Sequence, residues 1–572
     1  MKKLFRLHNK RLSAFGSILL VASFVMVACS TATATPAPVP TSAPTVVQPT
    51  SAPTTAPAAT TAPTAAPTTA PTVAATTAAT AAATAAATAA ATQGTTGSMS
   101  GELRVAMQAP VQTDPALISS DTEVMIANAV YDYLVDVDAK SQIQPRLATK
   151  WDISANGLVY TFTLASGVTF QDGSAFSSAD VVWTFNRLRD ATQKYPTADL
   201  YKNVANVAAA GDGQVVFTLT KPNPFFLFDL SDNHALILKA NTADPKQFNG
   251  TGPFKVTNYS PEDRIELAAN AKYFIAGEPK LAKLTIIFFK DENASVDALR
   301  GGQVDLVPRL SAGSFAALKT ESGVTTVNVP TNGFSLVRLR ADHKPGSDPR
   351  VMQAMRLATD RVAILNLVQQ NLGATGRDSP IGPLYPTYYS EDTPLPTRDI
   401  TQAKKLLSDA GYASGLKLDL YTPDTIGQPD LAAALKSEWA DAGITLNIIV
   451  EPESVYYGKN GWLDVDLGIT GWGSRPYPQF YLDTMLKTGA VWNEAHWSDP
   501  EFDKLATEAG TTQDEATRVA DYKQIEKIMI ERGPVIIPYF FPQLAAIKTS
   551  FQGFELKAFA GRTDFRTVSA GQ

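Results

Sequence analysis

The chain has 572 residues and a formal net charge of −6. This charge balance excludes a nucleic-acid-binding role, because such proteins carry a strongly basic surface. The single cysteine, Cys29, precedes the region that the sequence predicts to fold, so a disulfide framework, a thiolate metal site and a catalytic cysteine are excluded from that fold.

The N-terminus has the form of an export signal. A basic start is followed by the apolar stretch Ala14–Ala28, which is too short for a comfortable membrane span. The stretch ends in Met26-Val27-Ala28-Cys29, which resembles the lipobox of bacterial lipoproteins and implies cleavage before Cys29 and a lipid on its thiol. We therefore predict that residues 1–29 are a lipoprotein signal peptide. The alternative is an ordinary signal peptide with an incidental cysteine.

Residues 30–100 are dominated by Thr, Ala and Pro, with A-P-T and T-A-A-A repeats and almost no charged or large apolar residues. Such a segment cannot bury enough apolar surface to offset the entropy lost on ordering. We predict a disordered tether that holds the folded region on the outer face of the cell membrane.

The predicted elements of the folded region begin with a short strand at Gly101–Ala106. Asn156-Gly157 is a strong hairpin signal, and the alternating pattern of Tyr160–Leu164 predicts a half-buried strand after it. Ser177 and Asp180 form a capping-box pattern that begins a helix.

The second half of the chain predicts alternating helices and strands. The elements are a helix at Thr401–Ala410 capped by Asp399, a strand at Leu416–Tyr421, a helix at Leu431–Ala442, strands at Ile444–Val450 and Asp464–Thr470, a helix at Thr517–Glu531 and a strand at Pro534–Phe541. Strands that alternate with helices favour parallel β-α-β units, whose ligand loops follow the carboxyl ends of the strands. One such loop, GWGSRPYP, follows Thr470 directly.

Several short motifs occur in a fixed order along residues 101–572. They are Pro145-Arg146-Leu147-Ala148 with Trp151, Gly167–Gly173, Ala179–Val182, Gly250–Phe254, Gly302–Asp305, Arg350–Arg361 and Ala403–Tyr412. Together they resemble the family 5 extracellular solute-binding proteins of ABC importers, the dipeptide, oligopeptide and nickel type. The sequence departs from that pattern at Gln171, where the family usually has His, and in the polar loop Ala341–Asp348. Most of these motif residues are expected to be scaffold, such as turns, a core aromatic and a close approach of two backbones.

The resemblance implies an α/β fold of the two-lobed periplasmic-binding-protein type II, in its enlarged peptide-binding form. It implies a first lobe at residues 101–335 and 534–572, with an extra subdomain at about 145–250, and a second lobe at residues 336–533. Two hinge strands near Phe334–Arg340 and Arg532–Pro538 are expected to join the lobes.

The resemblance also points to the loop that contains Trp472. In peptide-binding members the matching loop carries Trp and, three residues later, an Asp that pairs with the amino terminus of the peptide. Here Arg475 stands at the Asp position, and a cation cannot hold an ammonium group. We therefore expect Arg475 to bind a carboxylate or another anion, beside Gly473 and the apolar walls of Trp472 and Tyr477. The alternative is that Arg475 pairs with a protein carboxylate such as Asp483. Weaker candidates for lining the site, placed by resemblance, are Gln108, Asn332 and Tyr539.

The implied function is a receptor that captures a small peptide-like solute or organic anion and delivers it to ABC permease subunits with cytoplasmic ATPases. We expect a monomer with no cofactor, no metal and no catalysis. One alternative is a lipid-anchored sensor or adhesin that reuses the fold. Another is a secreted hydrolase, which the widely spaced His234, His343 and His496 and the lack of an H-E-x-x-H motif disfavour.

Overall fold

The computed structural model describes residues 99–571 apart from 140, 194, 196, 459, 460 and 560. The predicted signal peptide, Cys29 and nearly all of the predicted tether therefore lie outside the described residues. The strands are β1 (Glu102–Met107), β2 (Val135–Val137), β3 (Ile143–Pro145), β4 (Ala148–Ile153), β5 (Val159–Leu164), β6 (Val204–Ala209), β7 (Gln214–Leu219), β8 (Phe254–Ser260), β9 (Arg264–Ala269), β10 (Lys283–Phe288), β11 (Leu306–Val307), β12 (Val324–Leu339), β13 (Ala374–Thr375), β14 (Leu416–Pro423), β15 (Ile444–Glu451), β16 (Leu467–Trp472), β17 (Val535–Lys548), β18 (Phe551–Gln552) and β19 (Ser569–Ala570). The helices are α1 (Asp121–Val130), α2 (Ser178–Leu188), α3 (Phe226–Asp229), α4 (Glu292–Arg300), α5 (Ala312–Leu318), α6 (Pro349–Ala358), α7 (Arg361–Gln369), α8 (Ile400–Asp409), α9 (Gln428–Ala440), α10 (Glu453–Tyr456), α11 (Gln479–Tyr481), α12 (Pro500–Ala509) and α13 (Glu515–Arg532).

The largest sheet contains eleven strands. Its strand order is β15-β14-β16-β12-β17-β11-β1-β10-β9-β8, and β13 pairs with β17 beside this path. The long strands β12 and β17 pair antiparallel, from Val324 opposite Lys548 to Arg338 opposite Val535. The first predicted hinge, Phe334–Arg340, lies on β12 except for its last residue. The second, Arg532–Pro538, begins at the last residue of α13 and enters β17 at Val535.

The β-α-β unit predicted in the second half is confirmed. β14 and β15 are parallel, with Leu416 opposite Ile444, and α9 connects them. The helix begins at Gln428, three residues earlier than the predicted Leu431, because Pro429 suits the first turn, where a missing N–H costs nothing.

The strand that leads into the loop is longer than its sequence suggests. β16 continues through Gly471 and Trp472, two residues beyond the predicted end at Thr470. Trp472 pairs with Phe334 of β12, and Gly471 pairs with Ser335. Close packing explains the glycine at position 471 inside the strand. An added Cβ would lie 2.3 Å from the side-chain amide nitrogen of Gln428.

The extra sheet of the first half contains four antiparallel strands in the order β4-β5-β7-β6. The predicted hairpin joins β4 to β5, and Gly157 has the positive φ of +66° that this turn requires. The capping box predicted at Ser177 and Asp180 is also present, and α2 begins at Ser178.

The motif Gly250–Phe254 is a close approach of two backbones, as the sequence indicates. A Cβ on Gly252 would lie 2.5 Å from the carbonyl carbon of Val130, and one on Gly250 would lie 2.1 Å from the oxygen of Val130. The amide of Gly252 donates a hydrogen bond to that same oxygen at 2.9 Å. Only glycine leaves room for this contact.

A network of buried charges ties the end of the chain to the first lobe. Asp136 forms ion pairs with Arg146, Lys557 and Arg562, and all four side chains are about nine-tenths buried or more. Burial alone would raise the pKa of Asp136, but the three surrounding cations hold it well below its usual range. The carboxylate is therefore ionised inside the lobe and depends on cations from a distant part of the sequence.

Candidate functional site

The site is built around the loop that follows β16. This strand lies between β14 and β12, and its carboxyl end delivers Trp472 and then the turn-rich segment Gly473–Pro478. The short helix α11 closes the segment. Loops at the carboxyl ends of strands in α/β sheets are where ligands bind.

Trp472 is anchored inside the second lobe. Its side chain is only 7% exposed, and its Nε1 donates a hydrogen bond to Oε1 of Glu494 at 3.1 Å. The other carboxylate oxygen accepts hydrogen bonds from Thr470 at 2.7 Å and from Nε of Arg338 at 3.2 Å. Burial raises the pKa of Glu494, and Arg338 opposes that rise. Trp472 therefore packs in the protein interior at the start of the loop. It is not among the residues that line the cavity beside the loop.

Tyr477 contacts residues of α3 and of the segment just before it. Its ring stacks on Phe225 with centroids 4.8 Å apart and an interplanar angle of 12°. Its hydroxyl donates a hydrogen bond to Oδ1 of Asp229 in α3, and Nδ2 of Asn223 donates to Oδ2 at 2.6 Å. Burial raises the pKa of Asp229 to about 7, although both hydrogen bonds favour the ionised form. The loop after β16 is thus packed against α3 and the residues beside it.

The guanidinium group of Arg475 forms no hydrogen bond or ion pair with a residue that the structure describes. Its Nε is buried without a hydrogen-bond partner, and its Cζ lies 4.5 Å from the centroid of Phe480. Within the described ranges, every other arginine donates a hydrogen bond or forms an ion pair. Asp483, the alternative partner considered from the sequence, pairs with Lys487 at 3.3 Å instead. The loop itself is held by Tyr385, whose hydroxyl donates to the carbonyl of Arg475 at 2.6 Å.

A small cavity lies between the loop, α3 and the residues that follow α3. It is lined by Val137, Phe228, Ser231, Asp232, Asn233, Ser474, Arg475, Pro476, Tyr477, Phe480, Phe559 and Arg562. About 20 Å³ of it is open to the centre of a water-sized sphere, and one water needs about 10–15 Å³. In this arrangement the cavity accommodates water-sized groups only.

Two of the remaining predicted residues shape the loop. The carbonyl of Gly473 accepts a hydrogen bond from the Tyr481 hydroxyl at 2.7 Å. The amide of Asn332 donates to Oγ of Ser474 at 3.1 Å, and its Oδ1 accepts from the amide of Leu384 at 3.1 Å. Asn332 is buried, so its contact with the loop is made through the protein itself.

The other two predicted residues lie elsewhere. Gln108 is exposed immediately after β1, and it lines neither this cavity nor a smaller one beside Met107. Tyr539 is fully buried in the core that α6, α8 and α9 form on the sheet, and burial raises its pKa to about 12. Residue alternation on β17 explains this position, because the neighbouring Phe540 points to the opposite face and joins the core beside Trp472.

The structure also brings in residues that the sequence reasoning missed. Phe225, Asp229 and Asp232 lie more than two hundred positions before Arg475 in the chain. A local signal was available, since the polar run Asp232-Asn233-His234 interrupts an otherwise apolar stretch. Its proximity to the loop depends on a long-range contact that local patterns do not encode.

Known proteins share this arrangement of elements. The ABC transporter-associated periplasmic binding protein DppA of Helicobacter pylori, in complex with the peptide STSA, superimposes with a TM-score of 0.74 at 24% identity, covering 83% of this chain and 99% of that one. AgaA of A. tumefaciens R10 in complex with agropinic acid gives a TM-score of 0.75 at 23% identity, covering 82% of this chain and 99% of that one. At these identities the likeness establishes the fold, which is that of the two-lobed type II periplasmic binding proteins.

Sequence relatives define the family. The model of the bacterial extracellular solute-binding proteins, family 5, matches residues 142–493. The probable di/tripeptide-binding protein 5 of Pseudomonas aeruginosa is 31% identical, over 77% of this chain and 90% of its own. Heme-binding protein A of Haemophilus influenzae is 28% identical, over 75% of this chain and 85% of its own.

The chain belongs to the bacterial extracellular solute-binding proteins of family 5. It is accordingly an extracytoplasmic receptor that captures a solute for an ABC permease, and its family is one of receptors rather than enzymes. The fold and function expected from the sequence motifs are thereby confirmed. Within the described part of the chain, no helix combines the length and apolar character needed to cross a membrane.

Proposed function

We propose that this receptor captures its solute between the two lobes at the loop Gly473–Pro478 and releases it to the permease chemically unchanged. The observation that carries the proposal is the contact of this loop with Phe225 and Asp229 around a cavity that contains the free guanidinium of Arg475. Residues 101–335 with 534–572 form the first lobe in this proposal, and residues 336–533 form the second. Lobes joined by a pair of long strands can part and close on a ligand as nearly rigid bodies.

Arg475 supplies the main chemical preference in this proposal. A guanidinium group binds carboxylates through two parallel hydrogen bonds. Arg475 forms no direct ion pair with a carboxylate of the described residues, although its charge lowers the pKa of Asp232 in the same cavity. The solute therefore carries an acidic group. Relatives were solved with a peptide and with agropinic acid, so both peptide-like solutes and small organic acids agree with this chemistry.

The test is capture of a solute by the purified full-length chain in detergent. The protein is incubated with rich bacterial growth medium, passed through a desalting column and examined by native mass spectrometry. We expect the unmodified chain to retain an acidic solute and Arg475→Ala to lose it. Arg300→Ala is the matched control, because Arg300 is a surface residue paired with Glu321 at 3.2 Å. Failure of the unmodified chain to retain any solute would contradict the proposal.

The remainder of the proposal concerns the N-terminus. Cys29 is lipidated, residues 30–100 are the tether, and a monomeric receptor is held on the outer face of the cell membrane. Support comes from the position of the only cysteine, at the end of an apolar export signal and ahead of a segment poor in apolar residues. A lipid chain contributes about 0.8 kcal/mol of membrane affinity for each buried methylene.

Anchoring is tested by fractionation of a bacterium that produces the chain. We expect the unmodified protein in the membrane fraction, with a mass increased by acyl chains on the new N-terminus. Cys29→Ser should release it into the extracytoplasmic soluble fraction. Membrane retention of the Cys29→Ser protein would show that another feature anchors it.

A further inference from the structure

We propose that residues 384–393 form a strap along α13, that a protonated Glu526 keeps this strap in place, and that ionisation of Glu526 at alkaline pH loosens both the strap and the loop Gly473–Pro478. The device is separate from the groups that recognise the solute. Only its consequence for solute binding rests on the proposed function.

The strap contains no helix or strand, and side chains hold it on α13. The ring of Tyr388 packs on the ring of Tyr522 with centroids 4.7 Å apart. Asp392 forms an ion pair with Lys523 at 3.1 Å, but both side chains are exposed and such a pair contributes little. The contact between the strap and the helix therefore depends mainly on its buried part.

Glu526 is a buried carboxyl group of α13 beside the strap. The residue is only 2% exposed. The backbone amide of Ser390 approaches it, but neither carboxylate oxygen has a hydrogen bond of acceptable geometry to a residue that the structure describes. Arg377 also acts on it, yet the two form no ion pair and Nε of Arg377 is itself buried without a partner. A buried carboxyl group without hydrogen bonds is far less costly as the neutral acid than as an anion.

The surrounding charges leave Glu526 protonated at neutral pH. The groups that face it are Arg377, Tyr389 and Asp392, together with Lys523 on its own helix. Burial is the main cause of a pKa raised to about 8, against an ordinary value of 4.5; Asp392 adds to the rise, whereas Arg377 and Lys523 oppose it. Tyr389 is neutral in this range, because burial raises its pKa to about 12.

The bound strap holds a proton on Glu526 that the loosened strap releases, since Glu526 then meets water and regains its ordinary pKa. The stabilisation of the bound strap by this proton is complete below about pH 4.5. It decreases about tenfold in the ratio of bound to loosened strap for each pH unit up to about pH 8. Above that pH, Glu526 is ionised in both forms and adds no further dependence.

Tyr385 connects the strap to the loop Gly473–Pro478. Its hydroxyl donates a hydrogen bond to the carbonyl of Arg475 at 2.6 Å. Its own carbonyl accepts the amides of Tyr388 and Tyr389 at 2.8 and 2.9 Å. Tyr385 is therefore tied both to the part of the strap that packs on α13 and to the loop. A strap that leaves the helix removes one of the contacts that position the loop.

The test is hydrogen exchange of the full-length chain in detergent, followed by mass spectrometry at pH 5 and at pH 8. Glu526→Gln keeps a neutral side chain of the same shape at both pH values. At pH 8 we expect the strap and the loop to exchange at least about tenfold faster in the unmodified chain than in Glu526→Gln, and at pH 5 we expect similar rates. Comparison of the proteins at one pH cancels the intrinsic effect of pH on exchange. Glu531→Gln, which removes an exposed carboxylate of the same helix, is the matched control and should behave like the unmodified chain.

A second variant tests the connection to the loop. Tyr385→Phe removes the hydroxyl that binds the Arg475 carbonyl, so the loop should exchange faster at both pH values while the strap keeps its response to pH. Equal exchange of the strap in the unmodified chain and in Glu526→Gln at pH 8 would overturn the proposal. Fast exchange of the strap with an unaltered loop would overturn the connection through Tyr385. Retention of a solute from growth medium is measured separately, so the receptor function stands if the strap fails.

Discussion

Asp229 accepts a hydrogen bond from the Tyr477 hydroxyl, and these residues belong to different lobes in the proposed division. Burial raises the pKa of Asp229 to about 7, against an ordinary value of 3.8. The groups that face it are Tyr477, Asn223, Asp232 and Asp483, and both carboxylates raise its pKa further. When the lobes part, Asp229 returns to water and its pKa falls towards the ordinary value.

The closed form should therefore weaken as the pH rises. The closed form holds a proton on Asp229 that the open form releases. The stabilisation of the closed form by this proton is therefore complete below about pH 4 and decreases as the pH rises to about 7. Above that pH, Asp229 contributes no further pH dependence. Asp229→Asn should abolish this dependence. Energy transfer between one dye on β5 and one on α8, in a Cys29→Ser background, measures the closed fraction from pH 4 to pH 8.

The exposed Asp212→Asn is a suitable comparison for the dye experiment. It should keep the pH dependence of the unmodified chain. If the closed fraction of Asp229→Asn changed with pH as it does in the unmodified chain, Asp229 would not be the group that controls closure.

Glu494 neutralises the fully buried Arg338 and supports Trp472. We expect Glu494→Gln to lower the free energy of unfolding by about 3–5 kcal/mol, because it leaves the guanidinium without a counter-charge. The measurement is urea unfolding followed by tryptophan fluorescence. Glu501→Ala is the matched control, since Glu501 pairs with Arg532 at an exposed site and should cost about 0–1 kcal/mol. Equal losses in the two variants would contradict this account of the buried pair.

At the scale of single elements, the close approach at Gly252 sets a strict limit on side-chain size. Gly252→Ala should lower the free energy of unfolding by about 1–3 kcal/mol, since its Cβ would meet the backbone of Val130 at 2.5 Å. Gly213→Ala is the matched control, with no heavy atom within 4 Å of its added Cβ. Thermal unfolding of both variants checks this, and an unchanged Gly252→Ala protein would show that the backbone adjusts freely.

Local chemistry explains which elements could be predicted from the sequence. The capping box at Ser177, the cap at Asp399 and the turn at Gly157 each depend on neighbours within a few residues, and all three are present. The end of β16 was predicted too early, because the extension to Trp472 depends on pairing with the distant Phe334. The glycines and prolines of residues 471–478 predict a turn from local sequence alone. They carry no information about a pairing partner as distant as Phe334.

The same distinction applies to the candidate site. Arg475 could be predicted from the sequence because it lies three residues after Trp472, at the position where peptide-binding members of the family have Asp. Asp229 and Asp232 could not, because their part in the site exists only once α3 packs against that loop. The ligand contacts predicted for Trp472, Arg475 and Tyr477 stay predictions, whereas their places in the fold are now defined.

For the whole molecule, the main sheet determines how the two lobes are connected. β12 and β17 are the long strands at its centre, and β17 comes near the end of the chain. β17 therefore follows its partner β12 by about two hundred residues in the chain. The completed sheet requires both.

The cations around Asp136 add a constraint on the order of folding. Lys557 and Arg562 lie more than four hundred positions after Asp136 in the chain. Without that segment Asp136 loses two of its three cationic partners and keeps Arg146. We therefore expect the first lobe to be incompletely folded until the segment packs against it.

A chain that ends at Ser550 should consequently show protease-sensitive β4–β7 while β14, α9 and β15 remain protected, as limited proteolysis with mass spectrometry would reveal. A chain that ends at Val568 keeps these cations and should resist cleavage in both regions. Equal resistance of the two chains would show that the first lobe folds without residues 551–568. If the prediction is confirmed, β4–β7 fold only after a segment that follows β17 in the chain has joined them.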